Sequence, residues 1–167
     1  MLLAALAGLF ASVYLFVVYT NNAPIVCGTG HGCDVVRASQ WAYVFGVIPR
    51  PLLGVIFYTG VMVLLVVRTA LPSWLPKPLY WLTMAAAGVG IVESAHLFYI
   101  QVALIQAFCN WCLVSTAATV VFAAAATQDT PQELTPQESV RTLQEQFISM
   151  AIAAVAIAVG LWWLLSP

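Results

Sequence analysis

Five stretches of this chain are apolar for about the 20 residues that a helix needs to cross the hydrocarbon of a bilayer. They run from about Leu2 to Thr20, Pro51 to Leu71, Leu79 to Ile100, Cys109 to Ala126 and Phe147 to Leu165. Residues of this kind cannot be arranged around a water-facing surface. Of the 167 residues 63% are hydrophobic and 7% charged, against roughly a quarter charged in a soluble domain. The expected fold class is an all-α integral membrane protein. A net charge of −1 with no basic stripe excludes nucleic acid as a partner, and membrane lipid is the partner the composition requires.

The first run reads as a span and not as a cleaved signal. It has no basic n-region and no small-residue cleavage site, and Val26 before Cys27 is too large for a lipidation site. Between spans, 21–49 is a polar loop and "PSWLPKP" (Pro72–Pro78) a proline-punctuated turn. Residues 127–146 form a polar linker carrying "TPQE" at Thr130–Glu133 and Thr135–Glu138. Thr, Pro and Glu in that order are capping-box chemistry, so a short surface helix is expected over Thr135–Gln146. The organisation expected is a core over 1–126, the linker, and a fifth transmembrane helix over 147–167. With the N-terminus in the cytoplasm, the inner loops hold Arg68, Lys77 and Arg141 and the outer loop Arg37 and Arg50. That difference barely supports the positive-inside orientation.

The chain has four cysteines, and span counting places them together. Cys27 and Cys33 lie in the first polar loop, in "VCGTGHGCDVVRASQW". Cys109 and Cys112, in "AFCNWCLVSTAATVVFAAAA", open the fourth span after two further crossings, on the side of that loop. Cysteines at i and i+3 of a helix end reach the Cα separation of about 5.5–6 Å that a disulfide prefers. The positive end of the helix and its unpaired amides favour a thiolate there, the attacking species in exchange. The glycine-rich "GTGHG" between Cys27 and Cys33 can swing between an outer and an inner partner. His31 within it favours a thiolate when protonated; otherwise it is solvated loop surface. Two static disulfides are the bland alternative. A four-cysteine zinc site would need one pair six residues apart and another at lipid depth, unlike the usual ligand spacing; no metal is expected.

These residues resemble the vitamin K epoxide reductase (VKOR) family in its bacterial form. The resemblance is carried by "CGTGHGCDVVRASQWAYVFGVIPRPLLGVIFY", Cys27–Tyr58. It holds the loop cysteine pair, Ser39 six residues later, Phe45–Gly46, and Gly54 and Tyr58 of the next helix. "CNWC" carries it again. It implies a four-helix transmembrane bundle around a quinone (ubiquinone, menaquinone or vitamin K type), with a fifth transmembrane helix beside it. The membrane implied is the bacterial cytoplasmic membrane, with the active site on its extracytoplasmic face. By this resemblance Cys27 exchanges with a thioredoxin-like or DsbA-like protein, Cys33 attacks Cys109, Cys112 passes electrons to the quinone, and Ser39 assists nearby. The implied activity is quinone-dependent thiol–disulfide oxidoreduction for disulfide-bond formation. Many bacterial members continue into a fused thioredoxin-like domain. This sequence ends at Pro167, so such a partner acts in trans or lies on chain beyond it. Thr116 stands where the animal enzymes carry a tyrosine associated with vitamin K, which favours simple quinone reduction over epoxide reduction. The alternative activity is reduction of vitamin K quinone or epoxide.

Glu93, Ser94 and His96 are polar residues inside the third span, which are functional suspects by default. Glu93 and His96 lack the further carboxylates and the second ExxH of a di-iron site. His96 either serves the quinone, by hydrogen bond or proton transfer, or pairs with a bundle neighbour. Asn110 and Trp111 are expected to contact the quinone with amide and ring. Trp41 and Tyr43 read as interfacial aromatics on a helix lying flat over the bundle, which would also cap the quinone cavity. A small transporter with structural disulfides is the reading from another class. It needs inverted repeats or broken helices in corresponding halves, and the sequence has neither.

Overall fold

The computed structural model describes residues 1–27, 31–70 and 76–128. Four long helices form its frame: α1 (Leu2–Asn21), α3 (Arg50–Ala70), α4 (Pro76–Tyr99) and α5 (Asn110–Thr127). Between α1 and α3 lie a short helix α2 (Gly32–Ala38), a 3₁₀ turn (Gln40–Ala42), and two-residue strands β1 (Tyr43–Val44) and β2 (Ile48–Pro49), paired antiparallel. Four stretches are helical, apolar and long enough to cross a membrane: Leu2–Asn21, Arg50–Arg68, Leu79–Ile105, which runs on past the end of α4, and Asn110–Thr127. These agree with the first four expected spans to within a few residues. The expected surface helix and the fifth span, Phe147–Leu165, lie outside the described residues.

Helices with lipid outside and neighbours inside are sorted by side-chain size more than by polarity. Thus α1 is the most buried of the four and packs along both α3 and α5, while α4 leans mainly on α5 and only loosely on α3. Where α1 meets α3, the Tyr58 ring lies across Gly8, and Ser12 fits against Gly54. Tyr58 then spends its hydroxyl on α5, 2.8 Å from the Ser115 carbonyl oxygen and 2.8 Å from Thr119 Oγ1. One core cluster joins Ala5, Leu6, Tyr58, Val61, Phe122 and Ala126. A second, at the other end of the bundle, joins Tyr14, Val18 and Cys109 to Ile25, Cys27, Cys33, Val36 and Ala42 of the loop.

Two local features depart from the sequence reading. Tyr43 is on a strand, not on a flat helix, because α2 stops at Ala38 and the Ser39 hydroxyl donates back to the Val36 carbonyl at 2.7 Å. The next turn puts Phe45 and Gly46 at φ 53° and 72°, and the Val47 N–H donates to the Val44 carbonyl at 3.2 Å. Two successive left-handed residues make the tight turn whose twist matches paired strands; "FG" is therefore hairpin chemistry. The third span also continues past Ile100 as a π-helical segment, Ile100–Ile105, ended by Gln106 in the left-handed region at φ 55°.

Candidate functional site

The structure brings all four cysteines to one end of the bundle. Cys27 and Cys33 are joined by a disulfide, with Cα atoms 5.9 Å apart, and Cys109 and Cys112 are free thiols. Cys33 and Cys109 are buried in the same cluster. They meet because α2 presses on the segment before α5 at Gly32, where any Cβ would run into the carbonyl oxygen of Phe108. The "NW" of CNWC secures this contact. Asn110 Nδ2 donates to the Cys27 carbonyl and Trp111 Nε1 to the Val26 carbonyl, both at 2.8 Å. The Val26 N–H donates to the hydroxyl of buried Tyr14 at 3.0 Å, and the Tyr14 and Trp111 rings lie 4.5 Å apart. The segment bearing Cys27 is thus held by three hydrogen bonds, two to α5 and one to α1.

Cys109 is the N-cap of α5. Its own N–H donates at 2.8 Å to Oε1 of Gln101, a buried residue of the π-helical segment. The Cys109 thiol pKa is lowered, first by the Cys112 thiol donating to its sulfur and then by the Cys112 and Trp111 backbone amides, against the opposing effect of burial. A lowered pKa means that thiolate persists to a more acidic pH than for an ordinary thiol, near 8.5. In the reduced protein, the pH profile for alkylation of Cys109 by a small haloacetamide is therefore expected to have its midpoint at a lower pH than that of an ordinary exposed thiol. Because the largest contribution comes from Cys112, Cys112→Ala should move the midpoint up, while Cys112→Ser, which keeps a donor, should move it less. Mass-spectrometric readout of Cys109 labelling across pH checks the order of the three.

Beside the cysteines lies a cavity of about 380 Å³ enclosed by α1, α3, α4 and α5, within the size range of small-molecule sites. Cys112 and Thr116 are on its wall, and Trp41, Ala42 and Val36 reach it from the loop. Trp41 thereby belongs to the cap foreseen over the cavity, whereas Tyr43 stacks near Tyr19, with ring centroids 6.2 Å apart. Asn110 and Trp111, expected at the quinone, are engaged by the Val26–Cys27 segment as described and are absent from the cavity lining. Ser39 serves the end of α2 and is not on that wall either. His96 is half-exposed on α4, its Nδ1 3.5 Å from Glu93 Oε2. Glu93 is on the wall, and its Oε1 accepts from Arg50 Nη1 at 2.6 Å. The pairing foreseen for His96 with a bundle neighbour is thus made within its own helix, one turn away, and Glu93 makes the bond between helices.

The sequence reading missed Arg50, Gln101 and Tyr14. Arg50 read as a loop charge, and Gln101 lay just past the end of the expected third span. For Tyr14 the available signal was a polar group inside an apolar span, by the reasoning applied to Glu93.

The wall of the cavity is mostly apolar, which suits a quinone ring with an isoprenoid tail, and Cys112 supplies a thiol on that wall. The residues fit such a group. In comparison with known proteins, the model of the vitamin K epoxide reductase family matches residues 1–127. That interval takes in every helix described above and both cysteine pairs. The chain is a multi-pass membrane oxidoreductase of the vitamin K epoxide reductase family.

Proposed function

We propose that the protein oxidises the dithiol of a thioredoxin-like protein and passes the electrons to a membrane quinone, a reaction that serves disulfide-bond formation. The observation that carries this reading is the division of labour within CNWC. Cys109 is buried beside the loop disulfide, and Cys112 is on the wall of the apolar cavity. A pair so placed touches a water-side disulfide with one sulfur and a lipid-side pocket with the other.

In the proposed cycle a thiolate of the partner attacks Cys27 and releases Cys33. The partner's second thiol then displaces Cys27, leaving the partner oxidised and Cys27 and Cys33 as thiols. Cys33 as thiolate attacks Cys109 of an oxidised Cys109–Cys112 pair and releases Cys112. Cys27 then displaces Cys109, which restores the loop disulfide and leaves Cys109 and Cys112 reduced. The structure has that same distribution, the loop pair joined and the CNWC pair free. A bound quinone supplies an acceptor for two electrons and two protons, so one partner dithiol plus one quinone balances one disulfide plus one quinol. Cys112 faces the acceptor, and Thr116, one turn along α5, shares that wall. Asn110 and Trp111 hold the segment bearing Cys27, and Ser39 closes the helix bearing Cys33. The cysteines act from the extracytoplasmic face, the side on which a thioredoxin-like partner meets the loop. Oxidising a DsbA-like partner requires an acceptor above about −120 mV, which points to a quinone and not to a glutathione pool.

The test is reconstitution. Purified protein in lipid with a ubiquinone or menaquinone should oxidise a reduced thioredoxin-like substrate, with one quinol formed per disulfide. Disulfide formation at the same rate without quinone would rule this reading out. Vitamin K epoxide offered in place of quinone is expected to turn over poorly, since Thr116 has no aromatic ring to present to it.

A further inference from the structure

Cys109 is the N-cap of α5, and its side chain makes no capping hydrogen bond. Helices commonly fix this position through an N-cap side-chain oxygen that accepts from an amide of the first turn. In the reciprocal version, a Glu or Gln at the third helical position also reaches back to the N–H of the N-cap residue. Neither device is open to CNWC. The N-cap side chain is the reacting sulfur, and the third helical position is Cys112, whose thiol donates to that sulfur.

The Cys109 N–H is taken instead by Gln101 Oε1, at 2.8 Å in a buried bond from the segment before the helix. Gln101 is 3% exposed. Its own carbonyl accepts from the Gln106 N–H and, at 3.2 Å, from the Ala107 N–H, where Gln106 in the left-handed region ends the π-helical segment. One residue thus receives three amides of the turn that delivers Cys109, two on its backbone and one on its side chain. The side-chain bond is the one that reaches the reacting residue. Without it, the Cys109 N–H would be a buried donor with no acceptor, because a helix start leaves its first amides unpaired.

We infer that Gln101 is a positioning residue for thiol exchange: by holding the Cys109 N–H, it fixes the backbone at the start of CNWC and leaves the Cys109 sulfur to change partner between Cys112 and Cys33. This role rests on the relay reading of the preceding section. A cap made by the sulfur itself would have to break each time that sulfur changed partner. A bond to the backbone N–H does not depend on the oxidation state of the sulfur. It therefore keeps Cys109 in place beside Cys33, with which it shares a buried cluster, throughout the cycle.

Gln101 is also on the cavity wall, so turnover alone does not separate a positioning effect from a weakened quinone site. The test therefore reads Cys109 in the reduced full chain in detergent, with neither quinone nor partner present. Q101M keeps the volume and removes the acceptor, while Q101N keeps the amide and withdraws it by one methylene. In both, the Trp111 and Cys112 amides lose their fixed alignment to the sulfur. The pH midpoint for alkylation of Cys109 should then move up by on the order of one unit, the scale of one lost hydrogen bond to a thiolate. A role confined to folding predicts a lower melting temperature with that midpoint unmoved, and this result would overturn the inference. So would a wild-type midpoint in Q101N alone, since polarity and not a directed bond would then suffice. Amide hydrogen exchange at Cys109 of the wild-type chain, followed by NMR with ¹⁵N-cysteine, needs no variant to fold. Protection is expected with CNWC reduced and with CNWC oxidised, and rapid exchange in either state overturns the role. An unmoved midpoint in a protein that reduces quinone removes the role of Gln101 alone. A shifted midpoint in a protein that reduces no quinone removes the proposed function and leaves the hold on Cys109 standing.

Discussion

Cys112→Ser is expected to abolish quinol formation, with a loss of roughly 10³-fold or more, the scale on which removing one member of a coupled catalytic set acts. The reasoning is positional. Cys112 is the one cysteine on the cavity wall, while Cys109, its neighbour in sequence, is buried with the loop cysteines. A serine has nearly the same size, so the bundle should fold and the Cys27–Cys33 disulfide should still exchange with a reduced thioredoxin-like protein. Without Cys112 no disulfide can form within CNWC, so electrons reaching the loop pair have no onward path. Quinone absorbance measures the lost step, and thiol trapping of the partner measures the retained one. Under oxidising conditions the same variant should accumulate a Cys33–Cys109 disulfide, visible as a cross-linked peptide in a non-reducing digest. Sustained quinone reduction by Cys112→Ser would show that electrons leave by another residue and would discard the proposed order of the relay.

The second large effect is expected from one methyl group. At Gly32 a Cβ would strike the carbonyl oxygen of Phe108, a backbone atom with no rotamer to escape into. Gly32→Ala must therefore lift the start of α2, and Cys33, the next residue, moves with it. Misplacement of a reacting group by about 1 Å can cost on the order of 10²-fold in rate, and turnover should fall by that order. The remote core of Ala5, Leu6, Tyr58 and Phe122 is untouched, so thermal unfolding followed by helicity should change little. The pairing of a large kinetic effect with a small stability effect is what identifies the contact as one between reacting elements. Unchanged turnover in Gly32→Ala would mean that α2 and Cys109 need not dock as the structure has them.

Much of this architecture could be read from the chain because its determinants are local. A run of 20 apolar residues has one stable fate in a bilayer, where every backbone amide must be paired within the helix. Counting crossings therefore put the loop cysteines and the CNWC cysteines on one side, as the structure has them. The start of a helix has unpaired N–H groups wherever it occurs, so an electropositive setting for Cys109 followed from its place in the sequence. The amides of Trp111 and Cys112 act on its sulfur accordingly.

What resisted reading depends on partners far away in the chain. Asn110 and Trp111 looked equally suited to a quinone and to any carbonyl within reach. Their actual acceptors, on Cys27 and Val26, are 83 and 85 residues distant. Arg50 and Glu93, 43 residues apart, are in sequence a loop cation and an intramembrane suspect. Only the antiparallel packing of α3 and α4 makes them one ion pair. The hairpin at Phe45–Gly46 and the π-helical continuation to Ile105 had weak signatures, since a phenylalanine in the left-handed region and a glutamine in an apolar run are each uninformative alone.

By itself, the sequence determined the membrane spans, the grouping of the cysteines at one end and the family pattern, because each rests on hydrophobic length, chain parity or short spacing. Tertiary structure alone decided which side chains clamp the loop and which partner Arg50 takes. Those depend on how four nearly featureless helices rotate against one another. With lipid as apolar as the bundle interior, that rotation is set by the fit of small residues and a few buried hydrogen bonds, not by a hydrophobic stripe that a sequence would display.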